Sequence, residues 1–222
     1  ITNGKIIDGT GNSWYYGDIA IQNGIIQKIG KLKNATATKT IDAKGLIVAP
    51  GFIDVHAHIE GGIMERPAAE NYILDGVTTV ITGNCGSSAD DLKQFFKEID
   101  SIKTSINVAS LVGHNTVRRL IMGLDDRKAS ADEQSKMEAL VIQAMKDGAV
   151  GLSTGLIYLP GMYGNTEEVV GLAKAAASMN GIYASHIRNE ENKVVDAINE
   201  AIHIGKEASI PVQISHFKVS AR

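Results

Sequence analysis

The chain has 222 residues, is 44% hydrophobic and 21% charged, and carries a formal net charge of −3. That balance suits a globular protein with a sizeable core, and it gives no reason to expect nucleic acid or an anionic membrane as a partner. No apolar run approaches the ~20 residues of a membrane helix, no signal peptide is visible, and the lone Cys85 cannot form an internal disulfide, which fits a reducing, cytoplasmic setting.

Residues 1–48 read as short strands. Asp18–Gln22, then Asn23-Gly24, then Ile25–Ile29 has the form of a hairpin, because Asn-Gly suits a two-residue turn. Thr40–Val48 adds strand, turn and strand. No catalytic cluster falls here, and the segment is expected to be a small β-sandwich-like domain. The chain opens at Ile1 as if already inside a strand and closes just after another, so it reads as part of a longer protein.

From residue 49 the rhythm changes to strand and then helix. Apolar strands are expected at Ile53–His58, Val77–Gly83, Asn107–Gly113, Ala149–Ser153, Ile182–Ile187 and Val212–His216. Helical patterns lie between them, over Pro67–Leu74, Asp90–Ile99, Ala131–Lys146, Thr166–Met179 and Glu191–Ala208. Asn165 followed by Glu167 and Glu168 is a helix-start signature. Such alternation implies a parallel sheet with helices outside. An open doubly wound sheet and a (β/α)8 barrel both satisfy it. No G-x-G-x-x-G supports a dinucleotide fold, and polar, metal-competent residues recur at strand C-terminal ends, where a barrel carries its active site. The barrel is favoured. A complete one takes about 250 residues, so residues 49–222 should hold about six of its units.

The candidate ligands follow from those strand ends. His56 and His58, in Leu46–His58 (LIVAPGFIDVHAH), would share one face if the strand runs to its end. Thr82-Gly-Asn-Cys-Gly86 delivers Cys85 on a glycine-flanked turn, and His186 and His216 close the fifth and sixth strands. Cysteine and histidine are ligands that zinc prefers. Any one of them alone is more often a core residue, and His114 also ends a strand. Four strand ends presenting nitrogen or sulfur at one edge is the stronger signal. His203 falls within a helix and is expected at its surface.

P-G-F-I-D-V-H-A-H (50–58) resembles the first-strand signature of the amidohydrolase superfamily, whose members add a small β domain to a metal-bearing barrel. The fourth strand, Gly151-Leu-Ser-Thr-Gly-Leu, lacks the bridging lysine of many members. With T-G-N-C-G, G-L-S-T-G-L-I-Y-L-P-G and A-S-H-I-R-N-E, the chain is similar to the D-aminoacylase (N-acyl-D-amino-acid deacylase) branch. That resemblance implies a tightly held zinc on Cys85, His186 and His216, with His56 and His58 forming a second, weaker metal position. It implies that Tyr158 and Lys218 grip the carboxylate of a small-molecule N-acyl amino acid, a task for which a lysine is chemically sensible. It also implies that the general acid/base, an aspartate, lies beyond Arg222, so no catalytic proton carrier is expected in this chain. The segment after H-A-H, Ile59-Glu60-Gly61-Gly62, departs from the acidic pattern usual there. Arg188 and Glu65-Arg66 could approach a substrate but match no motif. The expected reaction is hydrolysis of N-acyl-D-amino acids. The rivals are a cyclic-amide or dipeptide amidohydrolase, or a catalytically silent barrel serving as a binding or assembly module. The oligomeric state stays open, a homo-oligomer included.

Overall fold

In the computed structural model, which describes residues 1–220, strands β1 (Gly4–Ile6), β2 (Tyr15–Gln22), β3 (Ile25–Gly30) and β4 (Ile47–Val48) form one sheet in the order β3-β2-β1-β4. The β2–β3 hairpin turns at Asn23 (φ 53°) and Gly24 (φ 75°), the left-handed pair that matches the twist of antiparallel strands. Ile6, Ile19 and Ala43 are buried beneath this sheet. The chain divides between Phe52 and Ile53 into this unit and a larger one.

Strand β5 (Phe52–Asp54) straddles that division, and the larger unit carries β6 (Val77–Thr82), β7 (Asn107–Ser110), β8 (Val112–Gly113), β9 (Gly151–Gly155), β10 (Ile182–His186) and β11 (Val212–Ile214). They pair strictly in sequence order, as β5-β6-β7 and as β8-β9-β10-β11. The pairs β6–β7, β8–β9, β9–β10 and β10–β11 are all parallel. A doubly wound sheet needs a point where strand order reverses; none occurs among the described residues. Parallel strands taken in sequence order are the barrel pattern, and the barrel is not closed among these residues.

Helices α1 (Gly62–Glu65), α2 (Glu70–Ile73), α3 (Leu92–Ile102), α4 (His114–Met122), α5 (Ala131–Lys146), α6 (Thr166–Ala177) and α7 (Val194–Ala208) fill the crossovers. Where the sequence carries a cap, the helix starts there. Asp91 accepts from the Gln94 amide, Asn165 from the Glu168 amide, and Ser130 and Glu133 form a reciprocal capping box. Val80, Leu152 and Tyr183 from the strands meet Met137, Val141, Leu172 and Ile204 from the helices in one core.

Several elements differ from the sequence expectation: α4 was not expected, and the last strand, expected over Val212–His216, ends at Ile214. The first strand stops at Asp54 instead of His58: the Asp54 carboxylate accepts the His56 amide (3.0 Å) in a bend, before the Ala57 amide bonds to the Ile81 carbonyl of β6 (3.0 Å). The third is split at Leu111, with β7 paired to β6 and β8 to β9. Short helices α1 and α2 replace the single one expected over Pro67–Leu74. Finally, α7 starts at Val194, because the Asn189 side chain accepts from the amides of Glu191 and Lys193 and holds a turn there first.

Candidate metal centre

Past the C-terminal end of β6, the turn that carries Cys85 is held from two sides. Glu60 accepts from the Thr82 hydroxyl (2.6 Å) and the Gly83 amide (2.8 Å). From β9, the Ser153 hydroxyl donates to the Gly83 carbonyl and accepts from the Gly86 amide. Gly83 and Gly86 both have positive φ, and a Cβ at Gly86 would strike the side-chain amide of Asn115. Cys85 itself is left-handed at φ 53°, as is His216 at φ 46°. Such conformations cost on the order of 1–3 kcal/mol each and persist where the surroundings impose them.

Three histidines converge on the Cys85 sulfur. His186, the last residue of β10, places Nδ1 at 3.5 Å from Sγ; His216, two residues past β11, places Nε2 at 3.6 Å; and His56 places Nε2 at 3.5 Å. Zinc bonds of ~2.3 Å to sulfur and ~2.0 Å to nitrogen, at a tetrahedral angle, put the two donors roughly 3.6 Å apart. The donor atoms of Cys85, His186 and His216 lie within 4.8 Å of one another, as do those of His56, His58 and Cys85. The set therefore fits a metal ion, with the sulfur shared between two positions. His56 and His216 also face each other, Nε2 to Nε2, at 2.8 Å.

The electrostatics favour the same reading. Burial, with His216 and His58 nearby, drives His56 down to about 4, so its ring is neutral at pH 7 and one ring nitrogen offers a lone pair. Burial also lowers His186, with His216 and Lys218 adding to the effect against the opposing pull of Glu190. Burial and the Glu190 charge push the Cys85 thiol up to about 11. A cation is the group that reverses this last preference, since a coordinating thiol is deprotonated outright.

The remaining expected site residues stand around this cluster. Tyr158, on the loop after β9, packs edge-on against His186 with ring centroids 4.8 Å apart. Lys218 ion-pairs with Glu190, and its side chain stays 53% exposed. Arg188 is engaged elsewhere, bidentate to Glu200 and bonded to the carbonyls of Met162 and Gly164. His114 opens α4 away from the cluster, fully buried with Nε2 on Glu168, and His203 is exposed on α7. Sequence reading missed Glu60, Asn115 and Glu190. Glu190 follows His186 at i+4 inside A-S-H-I-R-N-E, but nothing local shows that Lys218 and His216 reach the same carboxylate.

A family model of amidohydrolases matches residues 39–213. The chain belongs to the amidohydrolase family. Within it, the chain is 35% identical to the D-aminoacylase of Alcaligenes xylosoxydans xylosoxydans over 242 residues, covering 99% of this chain and 50% of that protein. A solved D-aminoacylase structure, described as having a binuclear metal center with one-metal activation and second-metal attenuation, superposes with a TM-score of 0.94 at 32% identity. That match covers 99% of this chain and 51% of the other. The N-acyl-D-glutamate deacylase of Bordetella bronchiseptica, in complex with zinc and a phosphonate mimic of the tetrahedral intermediate, gives 0.90 at 37% identity. It covers 95% of this chain and 49% of that one. This amidohydrolase chain thus spans about half the length of the relatives it matches.

Proposed function

We propose that this amidohydrolase acts as a zinc-dependent deacylase, cleaving N-acyl-D-amino acids to a carboxylate and a free D-amino acid. The observation that carries the reading is the convergence of Cys85 Sγ, His186 Nδ1 and His216 Nε2 at donor separations suited to one zinc ion. These three residues would hold the tight ion, and His56 and His58, sharing Cys85, a weaker second one. A zinc ion there supplies Lewis acidity, drawing electron density from an acyl carbonyl and lowering the pKa of water toward ~7.

The chain's own residues do the rest of the positioning. Lys218 has three donor protons and spends one on Glu190, which leaves others for a substrate carboxylate at the exposed rim. Tyr158, fixed edge-on to His186, would bind the same carboxylate and so set the scissile amide against the ligand cluster. Proton transfer would fall to an aspartate that the resemblance implies beyond Arg222.

The test is zinc content and substrate choice in the full-length protein, wild type beside Cys85→Ala. About one tightly bound zinc per chain, lost in the mutant, with hydrolysis of N-acetyl-D-amino acids over their L-enantiomers, is expected. Zinc retained in Cys85→Ala, or a metal-loaded protein that cleaves only cyclic amides, would overturn the reading.

A further inference from the structure

Buried His186 and exposed His216 each offer one ring nitrogen to Cys85, and the other nitrogen of both rings faces a single oxygen. His186 presents Nδ1 to the sulfur and has its Nε2 3.5 Å from Glu190 Oε1. His216 does the reverse, with Nε2 toward the sulfur and Nδ1 3.7 Å from the same Oε1. The other carboxylate oxygen, Oε2, pairs with Lys218. His186 Nε2 and Glu190 Oε1 are both sealed from solvent, and neither has a hydrogen-bond partner among the described residues.

We propose that Glu190 is the positioning residue of the metal centre, one oxygen setting the tautomer and tilt of both His186 and His216 while the other anchors Lys218 at the rim. The inference rests on the reading above that Cys85, His186 and His216 hold a metal ion. A neutral imidazole that gives one nitrogen's lone pair to a metal carries its proton on the other nitrogen. Ligation through Nδ1 of His186 therefore puts a proton on Nε2, and ligation through Nε2 of His216 puts one on Nδ1. The two forced tautomers aim both protons at Oε1. Separations of 3.5 and 3.7 Å are ion-pair rather than hydrogen-bond lengths, so the carboxylate is poised between the rings and committed to neither.

The choice of a carboxylate follows from the two duties. Only an oxygen acceptor can serve two N–H groups at once, and a Gln amide would present either a repelling N–H to the rings or no charge to the lysine. Glu190 is 8% exposed, and a buried charge persists only if it is compensated. Lys218 supplies that compensation and becomes tied to the ligand rings in doing so. The residue that orients the metal ligands thus also places the substrate-facing cation.

Glu190→Gln in the full-length protein tests this, with zinc affinity read by competition against a chromophoric chelator and the Co2+-loaded absorption spectrum read alongside. The expected result is a 10- to 100-fold loss of zinc affinity, the size typical of a lost outer-shell partner, with an altered Co2+ spectrum and an unchanged metal-free melting temperature. Glu190→Asp, which keeps the charge but withdraws it by one methylene, is the second variant should the first not fold, and the same tenfold criterion applies. A loss below tenfold, in a protein whose zinc still depends on Cys85, would overturn the role of Glu190 and leave the metal reading standing. Zinc binding indifferent to Cys85→Ala, or absent from the wild type, would overturn both.

Discussion

Asn115 spends its whole side-chain amide on one loop. Its Nδ2 donates toward the carbonyls of Gly155 (3.3 Å), Tyr158 (3.2 Å) and Leu159 (3.4 Å), and its Oδ1 accepts the Gly155 amide (3.3 Å). The residue is 4% exposed, so these groups have no water to fall back on. Because that loop carries Tyr158, Asn115 acts on the proposed substrate grip without touching the ligand cluster. Asn115→Ala is expected to destabilise the fold by about 1–3 kcal/mol, the cost of leaving buried partners unsatisfied. It should also raise KM for N-acyl-D-amino acids several-fold while zinc content stays at the wild-type level. Denaturant titration and steady-state kinetics check this; unchanged stability and KM together would remove Asn115 from the site.

Among the elements, α4 and α6 are joined through one buried acid. Glu168 of α6 accepts from Arg118 and pairs with His114 Nε2 (2.8 Å), both on α4, and all three residues are nearly or fully buried. Burial pushes the Glu168 carboxyl up, but His114 and Arg118 together outweigh it and hold the group below its ordinary value of 4.5. A native value below the unfolded one means that this stabilisation is complete above about pH 4.5 and is lost as pH falls through the native pKa. Glu168→Gln should cost roughly 3–5 kcal/mol at pH 7, since it strands Arg118 in the core. The gap between mutant and wild type should narrow below pH 4.5, and urea titrations at pH 7 and pH 4 would show a constant gap if the argument fails. The same residues explain what was hidden in the sequence. Helices α5 and α6 were legible because caps and apolar spacing agree. Helix α4 was not, because most of what it buries is polar, His114, Asn115, Thr116 and Arg118 beside Val117 and Met122, and polar residues packed inward erase the periodicity that reveals a helix.

At the scale of the whole molecule, the candidate donor set was legible because its members lie at or just past the ends of strands, and parallel strands in sequence order bring their ends to one edge. Glu190 and Lys218 were not tied to it, because their partnership depends on where two loops go after β10 and β11. That order also joins His56 to His216 across 160 residues, so the donor set exists in the folded chain and not in the unfolded one. An ion that binds only the native state stabilises it by RT ln(1 + [L]/Kd), about 2.7 kcal/mol at a free concentration of 100 Kd. For a chain of this size each kcal/mol is worth about 2–4 °C, so buffered zinc should raise the melting temperature by about 5–10 °C over the chelated protein. Asn115→Ala should keep that shift on a lower baseline, because its amide bonds the Tyr158 loop and none of the donor side chains. Cys85→Ala should lose it, and Glu190→Gln should need a higher zinc concentration to reach it. Thermal scans at fixed ionic strength across a zinc-buffer series read all four proteins at once. A shift of equal size in Cys85→Ala would place the stabilising ion somewhere other than this cluster, and the left-handed backbones of Cys85 and His216 would then need a different cause.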